Sequence, residues 1–146
     1  MADPRAFPDR PFLAVSAAIL RDGKVLIVRR ARAPGAGIYT LPGGAVEAGE
    51  TLEQAVIREI KEETMLDIAP LGFAGHREII MRNAEGKAER HFVVLCFAAR
   101  WIAGEPTPND EISEARWRDP SELAGLKTTE GLAEIVAAAV KLFPSR

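Results

Sequence analysis

Residues 44–66, GAVEAGETLEQAVIREIKEETML, constrain this chain more than any other stretch. The turn Pro42-Gly43-Gly44 opens the run. Thr51 is a good helix N-cap, and Gln54 three residues later completes a capping box. Leu52, Val56 and Ile60, spaced four apart, give the helix an apolar face. The same helix carries Glu59, Glu62 and Glu63. Like charges at that spacing cost a helix a few tenths of a kcal/mol per pair. A cation lodged between the carboxylates offsets that cost. At about 100° per residue, Glu59 and Glu63 lie about 40° apart on either side of Leu52, with Glu62 about 60° further round. Glu59 and Glu63 therefore border the apolar face and are partly shielded from water. A shielded carboxylate cluster is protonated, paired or metal-bound. Mg²⁺, a hard cation that takes oxygen ligands and keeps several waters, is the natural partner. The competing reading is a solvated acidic face that pairs with Arg58 and Lys61.

The remainder of the chain narrows the setting. At 146 residues it has the size of one domain with a real core, and 47% hydrophobic and 27% charged residues make it globular. A net charge of −2 supplies no basic field for nucleic acid or an anionic membrane. The opening MADPRAFPDRPF lacks the apolar core of a signal peptide. No apolar run approaches the ~18 residues of a membrane span. One cysteine, Cys96, excludes an internal disulfide and suits a reducing compartment, so the expected location is cytoplasmic. Cys96 lies in the apolar run 92–97 and reads as a buried structural thiol.

No internal repeat or linker interrupts the chain. Residues 1–11, with three prolines, read as a flexible N-terminal arm, and residues 12–146 as a single domain. Strands are predicted over 12–20 and 25–28, joined by a hairpin turn at Asp22-Gly23, where the pair tolerates positive φ. A short strand at 39–41 precedes the Pro-Gly-Gly turn. Further strands are predicted over 71–81, 90–101 and 116–117, with a helical turn at 121–126. Residues 128–143 read as an amphipathic helix through Leu132, Ile135, Val136, Ala139, Val140 and Phe143. The order implies an α/β fold, a mixed sheet between helices on both faces.

Gly44, Glu50 and the run Arg58-Glu59-Ile60-Lys61-Glu62-Glu63 together make a long pattern that resembles the Nudix box, the signature of the Nudix hydrolases. The match departs at Met65, where the family usually has glycine, the residue that supplies a left-handed helix C-cap. The resemblance implies the Nudix-like α/β/α sandwich and a pyrophosphohydrolase. Such an enzyme splits the phosphoanhydride of a nucleoside diphosphate linked to another group. It implies Mg²⁺, with Mn²⁺ as a substitute, and the metal ligands Glu59, Glu62, Glu63 and the backbone carbonyl of Gly43. Arg58 is implied to orient a neighbouring glutamate, and Glu50 to hold the loop–helix junction. Glycine at 44 leaves room for the diphosphate. A further carboxylate from a downstream loop is expected, with Glu111 the candidate and Asp110 and Glu114 as alternatives. Arg29 or Arg30 is expected to grip phosphate. Tyr39 is explained by packing, and His76 and His91 read as strand-surface residues.

The substrate is less legible. The proline that ADP-ribose hydrolases carry downstream of the box is replaced here by Met81 and Arg82. The tyrosine of dinucleoside polyphosphate hydrolases has no counterpart, since Tyr39 is the one tyrosine. The expected substrate is a small nucleotide of ADP-ribose or nucleotide-sugar type. The alternatives are a nucleoside triphosphate cleaved in mutator-type pool cleaning, and a non-catalytic nucleotide sensor. Nucleic acid and membrane partners are not expected. A homodimer is admitted by the resemblance, with no feature marking its interface.

Overall fold

A computed structural model describes residues 5–33 and 35–144. The strands are β1 (Phe12–Arg21), β2 (Lys24–Arg30), β3 (Tyr39–Thr40), β4 (Gly43–Ala45), β5 (Asp67–Arg82), β6 (Ala88–Ala103) and β7 (Ile112–Arg118), and the helices are α1 (Leu52–Thr64) and α2 (Leu132–Val140). Among the described residues the seven strands form one mixed sheet. β1 leaves its hairpin through Asp22 and Gly23, both at positive φ, which matches the right-handed twist of the flanking strands. It pairs with β2 only at Leu20↔Val25 and Arg21↔Lys24. The two strands then diverge. β4 takes the vacated edge of β1 through Ala14↔Ala45, Val15↔Gly44 and Ser16↔Gly43. β3 takes that of β2 through Val28↔Thr40 and Arg29↔Tyr39. β6 runs parallel to β1 on its far edge, β5 pairs antiparallel with β6, and β7 closes the outer edge of β2.

Strand alternation sorts the apolar residues into two cores. Val15, Ala17, Ile19, Leu26 and Val28 pack with Val56 and Ile60 of α1. Ala18, Leu20, Val25 and Ile27 pack with Leu132, Ile135, Val136 and Ala139 of α2. The two helices therefore cover opposite faces, as the sequence implies. Cys96 is buried in the second core, and burial pushes its thiol above the ordinary range.

Several details depart from the sequence expectation, among them the helical turn expected at 121–126, which is confined to Pro120–Glu122. Residues 43–45 form a strand, because the open edge of β1 offers backbone partners that a local turn reading does not see. β5 and β6 run well beyond 71–81 and 90–101, and Pro70 is tolerated because β5 is an edge strand with bulges. The last strand is also longer than residues 116–117. α2 is shorter than 128–143: Lys127 and Thr129 bond instead to the backbone of Tyr39, and the helix starts only after Gly131 at φ 81°. Of the expected N-terminal arm, residues 1–4 lie outside the described residues, and the Phe7 N–H donates to the Glu89 carbonyl at 2.9 Å.

Met65 ends α1 in the left-handed conformation, φ 70°, its N–H donating to the Lys61 carbonyl at 3.0 Å. The geometry of a glycine C-cap is kept at the cost of a strained side chain. Met65→Gly is expected to raise unfolding stability by about 1 kcal/mol, read in urea, with turnover unchanged.

Candidate active site

The capping box forms as the sequence predicts. The Gln54 N–H donates to Thr51 Oγ1 at 3.1 Å, and the Thr51 N–H to Gln54 Oε1 at 2.9 Å. Fixing the first residue of α1 fixes the phase of every later one. Val56 and Ile60 are fully buried, and the carboxylates follow at the border of that stripe.

Arg58 is the hub of the border. Its Nε and Nη2 donate to both oxygens of Glu50 at 2.7 and 2.8 Å, a bidentate fork. Nη2 also donates to the Ala45 carbonyl at 3.0 Å, and Nη1 to Glu59 at 2.9 Å and Glu62 at 3.2 Å. One guanidinium thus ties β4, the loop before α1 and two helix carboxylates. Glu50 in turn accepts the Glu47 N–H at 2.9 Å. Arg58, then the Glu47 N–H, hold the Glu50 carboxyl down to about 2. The Glu59 side chain is 19% exposed and that of Glu62 is 60% exposed, so only the first of the pair faces inward.

Glycine is required where β4 meets this helix. A Cβ at Gly43 would stand 2.0 Å from the Val15 carbonyl oxygen, and one at Gly44 would stand 2.2 Å from Glu59 Oε2. Glu59 therefore lies directly against the backbone of Gly44. The Gly43 N–H donates to Glu63 Oε2 at 3.1 Å. Glu63 has no ion pair within 4 Å among the described residues, and burial pushes its carboxyl up to about 7. Gly43 and Arg30 pull that value down, while Glu111 and Glu59 push it further up. Burial also raises Glu59, against the pull of Arg58 and of Arg5 from the N-terminal segment.

The structure separates the remaining candidates. Glu111 and Arg30 lie within electrostatic reach of Glu63. Arg29 does not join them: its Nε donates to the Gly37 carbonyl at 3.4 Å, and it stands with Tyr39 and Glu114. Glu114 accepts from the Tyr39 hydroxyl and from Arg116, which hold it below the usual carboxylate range. Asp110 is exposed and 3.8 Å from Arg32. His76 stands on β5, 3.8 Å from Glu78, and His91 on β6.

Asn109 is a site-building residue that sequence reasoning missed. Its Nδ2 donates to the Glu63 carbonyl at 2.8 Å, while its Oδ1 accepts the N–H groups of Glu111 at 2.8 Å and Ile112 at 3.0 Å. One side chain thereby clamps the loop before β7 onto the end of α1, carrying Glu111 toward Glu63. The sole sequence signal is the loop-prone Pro-Asn-Asp run.

These residues suit a hard divalent cation. A half-buried carboxylate with no ion pair among the described residues (Glu63), a second against a glycine backbone (Glu59) and an all-oxygen donor set are what Mg²⁺ takes. Among the described residues no three acidic, histidine or cysteine side chains already converge on one point. Mg²⁺ needs only one or two carboxylates when it keeps waters and binds substrate phosphate.

Comparison with known proteins agrees with this geometry. Over 116 residues, 80% of this chain and 66% of the relative, the chain is 38% identical to the ADP-ribose pyrophosphatase of Methanocaldococcus jannaschii. It is 32% identical over 121 residues to the NAD-capped RNA hydrolase NudC of Vibrio atlanticus, spanning only 40% of that protein. The chain thus covers less than two thirds of either curated relative. The crystal structure of the MutT NUDIX hydrolase from Burkholderia pseudomallei superposes with a TM-score of 0.77 at 30% identity, over 89% of this chain and 98% of that one. No described helix is long and apolar enough to cross a membrane. The profile of the NUDIX domain matches residues 10–139, and with the glycine strand laid against the carboxylate helix, the chain belongs to the Nudix family.

Proposed function

We propose that this chain is a divalent-metal-dependent pyrophosphohydrolase acting on a nucleoside diphosphate linked to another group, of ADP-ribose or nucleotide-sugar type. The observation that carries the reading is Glu63: a half-buried carboxylate without an ion pair among the described residues, bonded to the Gly43 N–H and facing Glu59. A fold keeps such a group when a cation completes it. The substrate class rests on the name of the archaeal relative.

Glu59, Glu63, Glu62 and the backbone carbonyl of Gly43 would hold Mg²⁺ or Mn²⁺. The cation would offset diphosphate charge and acidify a bound water. Arg58 keeps Glu59 in place and opposes the upward push that burial gives its carboxyl. The bare backbone at Gly44 lets the anhydride approach. Arg30 meets the phosphate oxygens, a geometry its planar fork matches. Glu111 accepts the proton as water oxygen bonds to phosphorus and the anhydride P–O bond breaks. The products are a nucleoside monophosphate and the phosphorylated remainder.

Product analysis with Mg²⁺ and ADP-ribose, nucleotide sugars, NAD and nucleoside triphosphates tests the reading. AMP plus ribose 5-phosphate is expected. Pyrophosphate release from triphosphates alone would replace this reading with a pool-cleaning one, and binding without any turnover with a sensor.

Glu63→Gln should lower kcat by about 100-fold or more while folding normally. Glu111→Gln should lower kcat by about tenfold or more and leave affinity within a few-fold. Asn109→Ala should give a smaller loss in the same sense, because Glu111 stays present but untethered.

The raised Glu63 value also predicts a pH dependence. A carboxyl at about 7 in the folded state, against 4.5 for an unperturbed glutamate, keeps a proton that the unfolded chain loses. Its contribution to stability is complete below 4.5 and falls as pH rises toward 7. In EDTA, Glu63→Gln should match the parent near pH 4.5 and exceed it by about 2 kcal/mol at about pH 8. Mg²⁺ should restore the parent under the alkaline condition and not the variant.

A further inference from the structure

Across the sheet from α1, Arg77 lies half-buried on β5. Its Nη1 donates to Thr129 Oγ1 at 3.0 Å, the one hydrogen bond among the described residues of a side chain with five N–H donors. It forms no ion pair among the described residues. The nearby acids Glu130 and Glu134 are exposed and do not pair with it. With most of its five N–H donors unused by the described residues, this guanidinium can take an anionic acceptor.

Two neighbours have the same polarity. A Cβ at Gly131 would stand 4.0 Å from Arg77 Nε, so the guanidinium sits at the start of α2, whose first turn has no side-chain cap. The positive end of a helix dipole beside an unpaired cation is unfavourable until an anion lies between them. Thr129 Oγ1 is 3.2 Å from Thr40 Oγ1, and either hydroxyl is the donor. Because Thr129 also accepts from Arg77, one hydroxyl proton of the pair has no acceptor among the described residues. The cluster therefore presents mainly donors.

Its placement suits the substrate. Thr40 precedes Gly43 by three residues. The strand row Gly43, Ser16, Cys96 leads toward Arg77, which acts electrostatically on Cys96. The side-chain chain Arg77–Thr129–Thr40, joined at 3.0 and 3.2 Å, brings the guanidinium to the strand that leads into that glycine turn.

We propose that Arg77, Thr40 and Thr129, at the amino end of α2, form a second recognition point for an acceptor-only oxyanion carried by the substrate outside the cleaved anhydride. The group is a phosphate monoester or a carboxylate. The assignment rests on the nucleotide reading of the carboxylate site and adds the substrate feature that selects among nucleotides.

Matched ligands test it: ADP-ribose against its 2′-phosphate, and UDP-glucose against UDP-glucuronate. Binding is measured by calorimetry and turnover by kcat/KM, so loss of turnover alone counts against the hydrolase reading and not against this one. The parent should favour the oxyanion-bearing member of at least one pair by about tenfold. A preference in the first pair assigns a phosphoryl group, and in the second a carboxylate. Arg77→Met should abolish the preference and leave the member that lacks the extra oxyanion within about twofold. Arg77→Lys should retain part of it, and Thr129→Val should weaken it by releasing the guanidinium. Both remain informative should Arg77→Met fail to fold. Equal binding of both members by the parent, binding of none of the four, or an equal loss on both members in Arg77→Met would overturn the proposal.

Discussion

The early parting of β1 from β2 is the constraint on which the rest of this molecule depends. After two paired positions the strands separate, and each is left with unpaired backbone groups on its inner edge. Buried backbone polar groups must find partners. β4 and β3 supply them, one for each strand. That need brings a glycine pair into the middle of a sheet, where glycine is ordinarily unfavourable. It also sets the distance between β4 and α1, because side-chain-free backbone is what lets Glu59 and Glu63 press against it.

Around that contact the charges are unevenly shared. Glu50 takes both arms of the Arg58 fork, Glu59 takes one further donor, and Glu63 takes none. Arg58 thereby stabilises the scaffold and leaves one carboxylate in electrostatic deficit. A second cation at the same place would satisfy Glu63 and end its usefulness. The acid from the β7 side makes the deficit larger, and Asn109 holds it there.

What the sequence made legible was what is local. The Thr51–Gln54 box, the buried stripe of Val56 and Ile60 and the inward phase of Glu59 and Glu63 follow from one helix and its period. The two-faced sheet follows from alternation. Residues 43–45 could not be read as a strand, because their partners lie on β1 and not in their own turn. Arg29 and Arg30 are equivalent in sequence, and a register shift between them in the pairing with β7 attends their separation. Asn109 escaped notice because its role is to bridge a remote helix end and its own loop, a contact without periodicity.

The parallel pairing of β1 with β6 has a further consequence, for the order of assembly. Phe12 meets Phe92, so the central strand acquires this long partner only after most of the chain is available. Contacts so distant along the chain raise the relative contact order and slow the search for the native topology. Until β6 arrives, β1 has an unpaired edge and both cores lack their shared wall. The box helix, despite its strong local signals, then has only part of the surface it docks on. The geometry of the candidate site is therefore expected to form late in folding, and the local sequence that advertises it most clearly is the part that must wait.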